Sequence, residues 1–176
     1  MTDVEFSRPF DVSRFEDGDS DYLTIVAEAE ERDVLAVRFD LAALPSLKAD
    51  VTIVRSGRQV VAGAVMHADV VQTCVVSLDL IEIAVDERFE VVFDPDVRPT
   101  GEFDETIDFN LGADEPPEPL VNDAIDLGEM VAEHFGLALA PYPRKPGAEI
   151  DPRYTSDEVE ERKSPFAVLK GLKQDG

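Results

Sequence analysis

From Val60 to Val70 every second residue is apolar: Val60, Ala62, Ala64, Met66, Ala68, Val70. The set continues past one polar interruption, Gln72, into Cys74, Val76, Leu78 and Leu80. The other set mixes Gly63, His67, Asp69, Thr73, Ser77 and Asp79 with valines. Side chains on a strand alternate between faces, so this stretch predicts extended antiparallel structure with one dry side. Beyond Leu80 the apolar set changes parity to Ile83, Val85, Phe89, Val91 and Phe93. A one-residue slip would turn the dry face outward, which places a bulge or tight turn near Ile81 and Glu82.

The same pattern reading gives the other elements. Residues 4–10 read as a short strand, Asp17–Ser20 as a polar turn and Tyr22–Ala27 as a β-rich strand. Glu28–Phe39 follows as a short helix with Glu28, Glu30 and Glu31 in its first turn, where carboxylates suit the helix dipole. Leu35 and Phe39 share one side of it with Val34 beside them, and Pro45 closes the unit. Leu47–Arg55 alternates again, and Ser56-Gly57 turns it into the long strand. Three or four strands and one helix thus precede residue 94. A further strand is expected at Thr106–Leu111. Asp126–Ala140 is the strongest helix: Asp126 caps it, Glu129 stands where it can reach back, and Leu127, Met130, Val131, His134, Phe135 and Ala138 form a stripe. Pro141-Tyr142-Pro143 stops it. Pro165 then opens a short amphipathic segment with Phe166, Val168, Leu169 and Leu172 on its apolar side.

These elements predict an α+β fold: a curved antiparallel sheet, open or partly closed into a barrel, carrying a short N-terminal helix and an amphipathic helix, with an extended C-terminal tail. Residues 1–143 form the domain, including a mobile acidic loop at about 94–122. Residues 144–176 form a polar linker and a C-terminal amphipathic motif suited to docking, either back onto the domain or onto a partner.

Charge narrows the partners. The chain has 39 acidic and 16 basic residues, a net charge of −23. Such a field repels phosphate backbones and attracts cations, so extensive nucleic-acid binding by the body is disfavoured and a basic protein partner is expected. Residues 94–133 alone hold 13 acids and one base, Arg98, whereas 134–176 are neutral overall. The candidate partner-binding residues are therefore Asp104, Glu105, Asp108, Asp114 and Glu115 in the acidic belt, with Pro165, Phe166, Leu169 and Leu172 as an apolar anchor. No oligomeric state follows from the pattern.

Catalytic chemistry is poorly supported. Cys74 and His67 are seven apart and fall on opposite faces of a regular strand, so a nucleophile–base pair is not formed. A small buried thiol is the simpler reading. An enzyme using Cys74 would instead show a depressed thiol pKa and fast alkylation of the folded protein. His134, within an apolar stripe, reads as a core or edge histidine. Two histidines and one cysteine without short spacing argue against zinc, the belt lacks calcium-loop order, and no phosphate-binding loop is present. No cofactor or metal is expected. The N-terminus has no export signal and no 18-residue apolar run exists, which suggests a cytoplasmic protein without a membrane span.

Three blocks, QTCVVSLDLIEIAVDERFEVVF, IDLGEMVAEHFGLALAPYPRKPGA and SPFAVLKGLK, occur in this order. Together they resemble the YceD family, bacterial and plastid proteins needed for accumulation of large-subunit ribosomal RNA and often encoded beside a small large-subunit ribosomal protein. The resemblance places Gln72 and Cys74 on the family's cysteine-bearing strand. It puts Leu137, Leu139, Pro141 and Pro143 in its helix-ending block, and Pro165, Phe166, Leu169 and Leu172 in its C-terminal motif. Many relatives carry C-x-x-C at the strand. Here the second position is Ser77, so no zinc or redox role transfers. The resemblance implies a role in a process and no reaction. Joined to the charge argument, it leads to the expectation of a non-enzymatic ribosome assembly factor that binds a basic ribosomal protein or a large-subunit assembly intermediate. An acidic chaperone or nucleic-acid mimic is the alternative, and a cysteine-dependent enzyme the weaker one.

Overall fold

The computed structural model describes residues 5–98 and 116–150. Within them the chain runs β1 (Pro9–Asp11), β2 (Ser20–Val26), α1 (Ala29–Arg38), β3 (Ala43–Ser56), β4 (Gln59–Thr73), β5 (Leu80–Asp94), β6 (Glu118–Pro119), β7 (Ala124–Asp126) and α2 (Leu127–Ala138). The main sheet has the order β2-β3-β4-β5-β6, antiparallel except for the short parallel β5–β6 pair, and β1 pairs with β7 in a separate ribbon. Its order ends at β2 and β6, so the sheet is open and the closed-barrel option is not realised. The fold is α+β.

Alternation of side chains accounts for the core. Leu47, Ala49, Val51 and Ile53 of β3 and Val60, Ala62, Ala64, Met66, Ala68 and Val70 of β4 are all buried. Val85, Val91 and Phe93 of β5 join them, with Ile83 and Phe89 packed at the margin. Helix α1 lies over β3, and α2 over β4 and β5. Leu35 from α1 and Leu127, Val131 and Phe135 from α2 are fully buried. Burying each such side chain contributes roughly 1.5–3 kcal/mol before entropy is counted.

The α2 N-terminus is tied down by the expected cap. Asp126 Oδ1 accepts from the N–H groups of Gly128 (3.0 Å) and Glu129 (3.2 Å), and also from Arg8 N–H (2.8 Å). Glu129 does not complete a capping box. Its carboxylate receives Arg38 at 3.0 Å, tying α2 to α1. The reach-back occurs on α1, where Glu31 accepts the N–H of Glu28 at 2.7 Å. Glu31 also grips Arg8 through both guanidinium nitrogens, at 2.7 and 2.8 Å, which holds its carboxyl below the usual range and raises Arg8 in turn.

Several sequence expectations are corrected. The first strand is Pro9–Asp11 rather than residues 4–10, and five strands precede residue 94. Pro45 does not close the helical unit. It lies inside β3 at a register shift between Ala43 and Ser46, where a missing N–H costs the ladder little. Val34 is half exposed, because the helix turns that side to solvent. The expected acidic loop contains β6, which pairs Glu118 with Phe93. The strand expected at Thr106–Leu111 lies outside the described residues.

The largest correction is the chain reversal. It falls at residues 74–79, not near Ile81 and Glu82, so Leu78 and Leu80 are exposed rather than on the dry face. Cys74 N–H donates to Asp79 O (2.8 Å) and Leu78 N–H to Cys74 O (3.0 Å), closing the turn. Leu78 has φ 61°, a left-handed conformation that costs a β-carbon-bearing residue about 1–2 kcal/mol. Leu78→Gly is therefore expected to stabilise the protein by about 1 kcal/mol, less glycine's extra unfolded-state entropy. A denaturation midpoint lower than wild type would contradict this.

Candidate functional site

Strand β4 outruns β3: the Ala42 N–H bond to Val71 O (2.8 Å) is the last tie between that edge and the α1–β3 connection. Past it, Gln72 to Val75 need another neighbour, and the segment after α2 supplies it. Pro141 and Pro143 cannot continue a helix, so the chain leaves α2 extended and crosses the end of β4. Gln72 Nε2 donates to Ala140 O (3.2 Å), and Val75 N–H donates to Pro143 O (3.0 Å). Lys145 completes the strap through its N–H to Cys74 Sγ (3.3 Å) and its ammonium to Asp79 (3.0 Å).

Cys74 is fully covered, yet its sulfur accepts two backbone N–H bonds, from Lys145 (3.3 Å) and Ser77 (3.4 Å). Burial raises a thiol pKa and such donors lower it. The donors win, Lys145 contributing most, and the thiol titrates at about 6 rather than 9.0. The folded state therefore favours the thiolate. The stability this confers is fully present above the unfolded value near 9.0 and is lost as pH falls through about 6. The gap in melting temperature between wild type and Cys74→Ala is expected to widen as pH rises across that window. A gap flat in pH would refute the assignment. Folded-state alkylation is expected to be slow, because reagent has no path to the covered sulfur.

Beside this turn lies a groove of about 550 Å³. Its walls are Phe39–Ala42, Gln72, Thr73 and Val75, and, at the end of α2 and beyond, Gly136, Leu139, Ala140, Pro141 and Pro143. Four positions singled out by resemblance, Gln72, Leu139, Pro141 and Pro143, meet here although the two blocks lie more than 60 residues apart. Cys74 sits beside them, and Leu137 projects to solvent, 81% exposed. Pattern reasoning missed Lys145 and the Asp40–Ala42 connection. No periodicity marks either, and Pro-Tyr-Pro signalled only a helix stop.

The remaining candidates separate. His67 contacts Asp86 across the β4–β5 ladder on the opposite face from Cys74. His134 stacks on Phe89, ring centroids 3.8 Å apart, at the core margin. Among the described residues no group of three or more His, Cys, Asp or Glu converges, and no helix is long and apolar enough to cross a membrane. Asp104, Glu105, Asp108, Asp114, Glu115, Pro165, Phe166, Leu169 and Leu172 all lie outside the described residues.

Fold and site define a small α+β protein: an open, one-sided sheet capped by two helices, with a strapped cysteine turn and a groove at one end. The chain belongs to the YceD family, described as large ribosomal RNA subunit accumulation protein, whose model matches residues 63–173. That match takes in most of β4, the β4 and α2 sides of the groove and the C-terminal motif, and membership implies involvement in large-subunit ribosomal RNA accumulation. Comparison with curated proteins and with solved structures returned no match.

Proposed function

We propose that the chain is a non-enzymatic, cytoplasmic ribosome assembly factor that binds a basic ribosomal protein or a large-subunit assembly intermediate. The observation that carries the reading is electrostatic: a family tied to ribosomal RNA accumulation is represented here by a chain of net charge −23. A polyanion of this kind is repelled by RNA phosphates but attracts the cationic proteins that RNA must receive. The belt at 94–133, with 13 acids against one base, supplies the attraction, and Pro165–Leu172 supplies an apolar anchor. Cationic proteins released from ribosomes are a fitting class of partner.

The test is capture from growing cells with wild type, with residues 164–173 deleted, and with the belt carboxylates changed to amides, each at low and moderate salt and with nuclease. Recovery of large-subunit proteins that persists after nuclease and falls in both variants supports the proposal. Undiminished recovery, and undiminished large-subunit yield in cells carrying both changes, would sink it. Capture of many unrelated basic proteins would favour a general acidic chaperone. A cysteine enzyme is favoured by the lowered thiol pKa but opposed by the complete cover over the sulfur.

A further inference from the structure

The groove beside the Cys74 turn has a lopsided hydrogen-bonding inventory. Five backbone N–H groups along its walls are already spent: Phe39 on Leu35 O, Asp40 on Val37 O, Leu41 on Ala36 O, Ala42 on Val71 O and Val75 on Pro143 O. Pro141 and Pro143 have none to give. Acceptors remain. Gln72 is only 8% exposed, and its Oε1 has no hydrogen-bond partner among the described residues. Its amide cannot simply flip, because Nε2 is needed by the Ala140 carbonyl at 3.2 Å. The Asp40 carboxylate stands on the rim, and α2 points its C-terminal carbonyls this way with no basic residue in its last turn. An unpaired buried acceptor costs about 1–3 kcal/mol, so the groove is built for an occupant that brings N–H donors, a positive charge and apolar bulk.

We infer that the occupant is the chain's own C-terminal segment, Pro165–Lys173. That segment combines Phe166, Val168, Leu169 and Leu172 with the ammonium groups of Lys170 and Lys173, and every residue in it after Pro165 has a backbone N–H. The geometry of the tether favours it over a partner's peptide. Pro143 lines the groove, Ile150 follows seven residues later, and 14 residues separate Ile150 from Pro165. Extended, that linker reaches roughly 45–50 Å, more than enough to return. A covalent tether of this length holds its end at an effective concentration on the order of millimolar, above that of a free partner. The family model, matching residues 63–173, also takes in the β4 and α2 sides of the groove together with the segment. Any partner that takes this segment must then lift it from the groove.

The inference does not rest on the assembly role, and its test uses the purified full chain with no ribosomal component. In amide NMR spectra, the double substitution Phe166→Asp with Leu169→Asp is expected to shift Leu41, Thr73, Val75 and Leu139 while leaving the centres of β3 and β4 in place. A photoreactive residue at Val75 is expected to crosslink to residues 164–173 of the same molecule, and the double substitution to reduce the yield at least fivefold. Unmoved groove amides would overturn the inference. So would a crosslink that joins two copies or disappears on dilution, because the occupant would then be a second chain.

Discussion

Val131→Asp is expected to leave the protein unfolded at room temperature. Val131 sits on the face of α2 that packs over β4 and β5 and is 0% exposed, between the equally buried Leu127 and Phe135. A carboxylate there loses its hydration and gains no cation. The substitution also removes a buried aliphatic side chain. Together these exceed about 4 kcal/mol, a large part of the roughly 5–15 kcal/mol by which a domain is stable. Leu137→Asp, on the same helix but 81% exposed, is the control and is expected to cost less than about 0.5 kcal/mol. Far-ultraviolet circular dichroism with thermal melts checks both. Two variants melting alike would show that α2 does not dock as described.

The second large effect reverses the usual sign of a helical Gly→Ala change. In an ordinary helix interior that substitution stabilises by about 0.5–1 kcal/mol. At Gly128 a β-carbon would lie 2.4 Å from Phe6 O, 2.9 Å from Phe6 C and 3.0 Å from Arg8 N. All three atoms are backbone, so no flexible side chain can give way. Retreat of that segment would break the bonds from Arg8 N–H to Asp126 and from Leu127 N–H to Arg8 O (2.8 and 3.1 Å), undoing the cap. Gly128→Ala is therefore expected to destabilise by about 2–4 kcal/mol in urea titrations. Gly63→Ala, with nothing within 4 Å of the added carbon, is expected to be neutral or slightly stabilising. A neutral Gly128→Ala would mean the N-terminal segment is not anchored on α2.

The two predictions interrogate the part of the molecule that sequence reading recovered best. Periodicity of two in β3 and β4, and of 3.6 in α2, are local signals repeated many times, so single exceptions do not hide them. Asp126 was legible as a cap for the same reason: the bond it makes to Glu129 N–H spans three residues. Gln72, by contrast, looked like a flaw in a dry face. It is buried because Ala140, 68 residues away, offers its carbonyl there. Pro45 looked like a terminator because a proline inside a strand is usually excluded, and only the register shift against β4 makes room for it.

The charge, the dry faces, the two helices and the family blocks were thus determined by the chain alone, since each depends on composition or on neighbours within a few residues. Where β4 turns, and what collects at that turn, were decided only by the tertiary structure. The apolar parity runs on unbroken through Val76, Leu78 and Leu80, and nothing local stops it. The bonds that close the turn, Cys74 N–H to Asp79 O and Leu78 N–H to Cys74 O, carry no side-chain period. The turn is held against the rest of the fold by Lys145 N–H on the Cys74 sulfur, 71 positions later, and by Val75 N–H on Pro143 O. Bonds between residues so far apart leave no period in a sequence, because their partners are chosen by the packing of whole elements.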